Sequence, residues 1–262
     1  LHLSLRRQRQ MCIRDRDYVN DTLTEKGRRE AALLAKRAVS MNMGECYKSP
    51  LGRAKDTATP CLEVTGKTAE ILDWLQEFPA QVDLNKNPEL EKAYPDVKKE
   101  GKHFLPRIAW DMVPGYWTEH EAYMDKNAWR ETEVAKNSDL AEVYDHVIEE
   151  FDRFLAEHGY VREGAHYCVE KESDETVTFF CHFGISCVLL SHLWNVSPFV
   201  LWHCLALAPT SVTEVVTEER EQGTAYFRGL KVGDISHLYA GGEEPSFAAR
   251  FCETYSNKEQ RH

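Results

Sequence analysis

The 262-residue chain has no apolar run near the ~18 residues that a membrane-spanning helix needs, so no membrane partner is expected. Its eight cysteines include no C-x-x-C pair, which removes the signatures of a zinc ribbon and of a thioredoxin-type redox motif. An excess of positive charge is also missing: 43 acidic against 32 basic residues give −11, a balance that speaks against a nonspecific nucleic-acid partner. It leaves room for a local basic pocket that takes a small anion. No apolar signal-peptide core, internal repeat or low-complexity tract is present. Cys46, Cys181 and Cys187 lie in apolar stretches and read as buried free thiols, so the expected compartment is the reducing cytoplasm. With 42% hydrophobic and 29% charged residues, the chain can bury a substantial core and does not have the composition of a disordered protein.

Residues 1–16 stand apart. They read LHLSLRRQRQMCIRDR, with five arginines against one acid. Met11 to Asp15 back-translates into a string that looks like the end of a transposase adapter from library preparation. The segment is therefore expected to be a non-native scar, without a strand or helix of its own and separate from the fold. The single domain is expected over 17–262.

Helix and strand signals alternate along that domain. Thr24 opens a helix with Ala31, Leu34, Ala35 and Ala38 on one face. A short strand from Glu45 meets Ser49-Pro50, and a helix starts near Leu51. Thr68 to Leu75 reads as a strand or a strand-like turn. Residues 78–139 carry five prolines and three tryptophans (Trp110, Trp117 and Trp129), which reads as an inserted cap of short helices. Leu140 to His158 is amphipathic and is closed by Gly159. Thr176 to His182 is a buried strand with a helix behind it, and Ser211 to Thr217 and Thr224 to Leu230 read as later strands. The class expected is α/β: a three-layer α/β/α sandwich with a mostly parallel central sheet and an inserted helical cap.

Three places carry chemistry. In Ser49-Pro50-Leu51-Gly52-Arg53 a strand passes at once into a helix, whose first turn offers backbone N–H groups to an anion and places the Arg53 fork beside them. On its own, Arg53 reads better as an arginine on a solvated helix face. His182 ends a buried strand and is followed by Phe183-Gly184 and a helix, the place where α/β proteins bind ligands; a plain core histidine reads equally well. Glu77 lies among Trp74, Leu75 and Phe78, where a carboxyl can serve as general acid or be an ordinary surface group. Rival readings of the His182 stretch fail on spacing. Cys181 is followed six positions on by Cys187 rather than an arginine, Gly184-Ile185-Ser186-Cys187-Val188 lacks the last glycine of a nucleophile elbow, and Cys181, His182 and Cys187 are wrongly spaced for a metal.

Taken together, the L-T-x-x-G-x-x-x-A helix from Leu23, the S-P-L-x-R-A-x-x-T-A run from Ser49, the L-x-E ending at Glu77 and the late H-x-G at His182 resemble the histidine phosphatase superfamily, also called phosphoglycerate-mutase-like, over about Asp17 to Leu238. The resemblance implies a phosphate pocket at strand C-termini, with Arg53 and His182 binding substrate and Arg53, Glu77 and His182 catalytic. It implies two in-line phosphoryl transfers through a phosphohistidine, with Glu77 protonating the leaving group and with no metal or cofactor. The partner implied is a small phosphorylated substrate or inorganic phosphate.

One departure is decisive for activity. The family begins on a strand ending in R-H-G, whose histidine is the nucleophile, and no R-H-G occurs in this chain. Aligned without gaps from Asp17-Tyr18, Ile13 falls on the nucleophile. The expectation is a phosphomonoesterase scaffold that is inactive as written. A phosphoglycerate mutase-type phosphotransferase and a noncatalytic phosphate-binding or adaptor protein are the alternatives, and the sequence leaves the oligomeric state open.

Overall fold

The computed structural model describes residues 2–7 (through their backbone), 22–246 and 256. They fall into two compact units: Leu1–Glu77 with Ala156–Ser186 and Ala206–His262, and Phe78–Leu155 with Cys187–Leu205. Among the described residues no helix is long and apolar enough to cross a membrane.

The first unit opens with β1 (His2–Arg7), α1 (Glu25–Ala38), β2 (Glu45–Lys48), α2 (Gly52–Thr65) and β3 (Ala69–Ile71). Thr24 caps α1, its side chain accepting from the Gly27 N–H at 3.1 Å, and the buried face of α1 is Gly27, Glu30, Ala31, Leu34, Ala35 and Ala38. Gly66, at φ +64°, ends α2 in the left-handed conformation.

The second unit supplies β4 (Gln81–Val82), β5 (Lys99–Glu100), β6 (His103–Phe104), β7 (Arg107–Ile108), α3 (Pro114–Trp117) and α4 (Glu133–Lys136), with 3-10 turns between them. Prolines 79, 88, 95, 106 and 114 keep these elements short. The second unit also takes in most of α5 (Leu140–Glu157), whose Tyr144, Val147 and Phe151 are buried. The tryptophans of the 78–139 segment are used in this unit's own core. Trp110 stacks on Trp202 (5.6 Å between centroids), Trp117 on His203 (4.7 Å), and Trp129 meets Tyr144 edge-on (5.1 Å).

The remaining elements are β8 (Tyr160–Glu163), β9 (His166–Val169), β10 (Thr176–Cys181), α6 (Phe183–Trp194), α7 (Pro198–Cys204), β11 (Val212–Glu221), β12 (Thr224–Asp234) and α8 (Ser236–Ala240). One eight-stranded sheet runs β3-β2-β10-β1-β11-β12-β9-β8. The block β3-β2-β10-β1 is parallel, as expected, and β11, β12, β9 and β8 extend it in antiparallel fashion, so the whole sheet is mixed. β10, TVTFFC, is buried at every position, as a strand inside a parallel block must be. Leu34, Ala35 and Ala38 of α1, with Ala58, Cys61 and Leu62 of α2, pack on Cys46, Phe180 and Val212 from the sheet. Close approach sets the entry to β2: Gly44 is at φ +53°, and a Cβ there would lie 1.6 Å from the Thr176 carbonyl oxygen.

The N-terminus corrects the expectation drawn from the sequence. Residues expected to stand apart from the fold supply its central strand, β1, with Leu3 opposite Val177 of β10 and Val215 of β11. The alternation L-H-L-S-L is a strand pattern, but it is short and directly abuts Arg6-Arg7, whose charge dominates the composition of the segment. Met11 to Asp15, on which the adapter reading rests, lies outside the described residues.

Candidate active site

The three site residues expected from the sequence come together at the C-terminal ends of β2, β3 and β10. The β2–β10 pairing continues one step beyond the strands, the Ser49 N–H donating to the Phe180 carbonyl at 2.9 Å. This brings Ser49 beside His182: Ser49 Oγ is 2.7 Å from His182 Nε2, and both residues are fully buried. Ser49 Oγ also accepts from the Leu51 N–H at 3.2 Å, which shapes the turn into α2. Behind the imidazole, Ser186 in the first turn of α6 donates to the His182 carbonyl from both its backbone N–H and its hydroxyl.

Arg53 stands in the first turn of α2 and is only 3% exposed. A buried guanidinium needs an anion or many acceptors, and Glu77, 7% exposed, supplies one: Arg53 Nη2 lies 3.9 Å from Glu77 Oε2. The other carboxylate oxygen accepts from the Gly184 N–H at 2.7 Å. Glu77 therefore joins the two halves of the site, touching α2 through Arg53 and the N-terminus of α6 through Gly184. A 3-10 turn, Asp73–Leu75, delivers it there, started by the Leu72 N–H on the Lys48 carbonyl at 3.1 Å and held by Trp74 edge-on to Phe179 at 5.8 Å. The sequence alone placed Glu77 among apolar side chains. The structure adds a cation, Arg53, and a backbone donor, the Gly184 N–H, beside its carboxyl.

The chemistry available is that of an anion site. Two helix N-termini converge on it, a buried guanidinium provides charge and a bidentate fork, and an imidazole and a hydroxyl provide further hydrogen bonds. Among the described residues one cluster of side chains has metal-ligating geometry, and it lies elsewhere, on the β8–β9 hairpin. Ser49 is the functional neighbour that sequence reasoning missed. Its signal was present as the last residue before Pro50 in the very run that singled out Arg53.

The end of β1 completes the geometry. Arg7, the last residue of β1, pairs with Cys181, the residue before His182. After His2 the sequence holds no histidine before His103. His2 pairs with Thr176 at the opposite end of the strand, roughly 16 Å away at ~3.3 Å per residue. Ile13, the gap-free counterpart of the nucleophile, lies outside the described residues.

Residues 8–111 match the histidine phosphatase superfamily (branch 1). No curated protein matches the chain. Among solved structures, mycobacterial glucosyl-3-phosphoglycerate phosphatase complexed with VO3 superposes with a TM-score of 0.52 at 17% identity, over 88% of this chain and 98% of that one. YhfR from Bacillus stearothermophilus gives 0.53 at 19% identity, covering 90% and 98%. Phosphoserine phosphatase from Entamoeba histolytica in complex with 3-phosphoglyceric acid gives 0.51 at 14% identity, covering 90% and 98%. At these identities the likeness is one of fold.

Proposed function

We propose, from the match of residues 8–111 to the histidine phosphatase superfamily (branch 1), that the chain is a member of that superfamily and that its site is built for phosphoryl transfer from a small phosphomonoester to water. We propose further that the chain as written holds phosphate there without appreciable turnover. The observation that carries the reading is the junction of Arg53, Glu77, His182 and Ser49 at the ends of β2 and β10.

In this reading the phosphoryl oxygens lie against Arg53 and His182, with the first-turn N–H groups of α2 completing the cradle. Arg53 neutralises charge that grows on the equatorial oxygens as the ester bond breaks. Ser49 holds the imidazole of His182 in one orientation, and Glu77, once protonated, delivers its proton to the leaving oxygen. The missing part is the nucleophile. A phosphohistidine requires an imidazole nitrogen in line with phosphorus, and the one histidine of β1, His2, pairs with Thr176 at the far end of the strand. The free cysteines 46, 61, 181 and 187, all buried, support a reducing cytoplasmic setting.

The test compares two chains, this one and a version whose residues 1–16 are replaced by an apolar strand ending in Arg-His-Gly-Asp-Pro. Phosphate binding by calorimetry should be seen in both and should be lost in Arg53→Ala. Turnover of an aryl phosphate should appear only in the repaired chain, with a difference of several orders of magnitude. Equal turnover, or a phosphohistidine trapped in the unrepaired chain, would place the nucleophile elsewhere and overturn the proposal.

A further inference from the structure

We propose that Glu163, His166 and Cys168 on the β8–β9 hairpin form a binding site for one zinc ion. The hairpin is at the sheet edge, separated from β10 by β1, β11 and β12, so the proposal is independent of the phosphate site.

The geometry follows from the turn. Only Gly164 and Ala165 link the strands, and Gly164, at φ +59°, takes the left-handed conformation that a two-residue hairpin turn demands. That turn fixes the register with Glu163 opposite His166 and Val161 opposite Cys168. Side chains alternate along a strand, so positions 163, 166 and 168 share one face. Their donor atoms (a carboxylate oxygen, an imidazole nitrogen and a thiol sulfur) all lie within 4.8 Å of one another. Cys168 Sγ is 2.8 Å from Glu163 Oε2, and His166 Nε2 is 3.6 Å from the same oxygen. Around a tetrahedral zinc, with bonds of ~2.0–2.3 Å, neighbouring ligand atoms stand about 3.5 Å apart. The 2.8 and 3.6 Å separations bracket that spacing.

The opposite face of the hairpin keeps the backbone in place. The Arg162 guanidinium covers the Tyr167 ring at 4.9 Å, and its Nε donates to the Gly164 carbonyl at 2.8 Å. Tyr167 is buried and meets Phe227 edge-on at 5.0 Å. The donor set chooses the metal. Magnesium and calcium take oxygen ligands throughout, whereas a thiolate with an imidazole and a carboxylate suits zinc. Glu163 is exposed and the other two are half-buried, so water reaches the fourth position. On binding, the S–H proton of Cys168, which is donated to Glu163 in the metal-free protein, leaves to solvent as the sulfur–zinc bond forms. No electron is transferred.

The test is cobalt titration of the full, reduced chain, followed by zinc displacement. The expected result is one equivalent of cobalt with a thiolate-to-cobalt charge-transfer band, abolished by zinc. The band should vanish in Cys168→Ser, should need at least tenfold more cobalt in His166→Ala, and should persist in Cys204→Ser, which removes an exposed thiol outside the cluster. No band in the parent chain, or a band that survives Cys168→Ser, would overturn the proposal. A measurement on the unaltered chain guards against variants that fail to fold. Zinc should slow alkylation of Cys168, mapped by mass spectrometry, at least tenfold while leaving Cys204 unchanged. Equal slowing of both thiols, or of neither, would also refute it.

Discussion

Glu77 is where the stability of the site can be measured. Its carboxylate accepts from the Gly184 N–H at 2.7 Å and lies 3.9 Å from Arg53 Nη2, with both residues buried. Glu77→Ala deletes the acceptor and the anion together. Losing a buried hydrogen bond to a charged acceptor costs about 1.5–3 kcal/mol, and removing one partner of a buried ion pair costs about 3–5 kcal/mol. At 3.9 Å the Arg53 contact is a long one, and the two losses share one carboxylate, so the combined cost should be about 3 kcal/mol rather than their sum. Glu77→Gln keeps an oxygen for Gly184 and loses only the charge, so its cost should be about 1 kcal/mol. Urea denaturation followed by tryptophan fluorescence reads both values, and the slope should stay constant because the fold is unchanged. The same substitution has an opposite effect on ligand binding. With its anion neutralised, Arg53 meets phosphate without a competing carboxylate, so Glu77→Gln should bind inorganic phosphate several-fold more tightly than the parent. A Glu77→Ala variant within ~0.5 kcal/mol of the parent, or phosphate binding weakened by Glu77→Gln, would show that Glu77 does not link Arg53 to α6 in the way described.

Other outcomes follow from single features. Deleting residues 1–7 removes the strand between β10 and β11, so the cooperative unfolding transition should disappear; a variant that unfolds as the parent does would show β1 to be dispensable. Gly44→Ala should destabilise the protein by at least about 3 kcal/mol, because a Cβ would overlap the Thr176 carbonyl; an unchanged denaturation midpoint would refute this contact. Burial pushes the His203 imidazole down to about 4 from 6.5. The unfolded chain therefore takes up the proton first, and stability should fall as pH drops from about 6.5 to about 4, by up to about 3 kcal/mol. His203→Phe, which keeps the ring stack, should flatten that limb of the pH–stability curve. Glu30 acts in the opposite sense: burial raises it to about 7 from 4.5, so its neutral form is favoured and stability is lost as pH rises between those values. Glu30→Gln can keep the hydrogen bond from Ser246 and should raise stability at pH 8 by about 1 kcal/mol or more.

The elements that sequence revealed best are those whose local signals agree with their packing. Thr24 is a cap, α5 carries its apolar face at helical spacing, and β10 is a continuous apolar run between turn signals. Arg53 and His182 were legible because each stands at a strand-to-helix junction, and Glu77 because it closes an apolar stretch. Features made by contacts distant in sequence were harder to read. Ser49 gains its meaning only when β2 lies beside β10. The Glu163–His166–Cys168 cluster exists only once a two-residue turn sets the register, and the spacing E-x-x-H-x-C does not announce it. β1 is hard to read because its apolar alternation is short and the strand ends in Arg6-Arg7, whose charge dominates the composition of the segment. The prolines and tryptophans of 78–139 correctly announced short elements, but not that the tryptophans would be consumed in the core of their own unit.

The position of β1 also bears on how the protein is made. β1 leaves the ribosome long before its partners, since its parallel partner begins at Thr176 and its antiparallel partner at Val212. Until most of the chain has been synthesised, the strand has no native neighbour on either side. Loops of this length close slowly, and sheets assembled from distant segments fold more slowly than those built from hairpins. During that interval the α1–α2 face remains without the sheet it is to cover, and β1 presents two unpaired edges to any other strand. Yield in a cell should therefore depend on translation speed and on chaperones that hold the nascent strand, to a degree that equilibrium stability does not report.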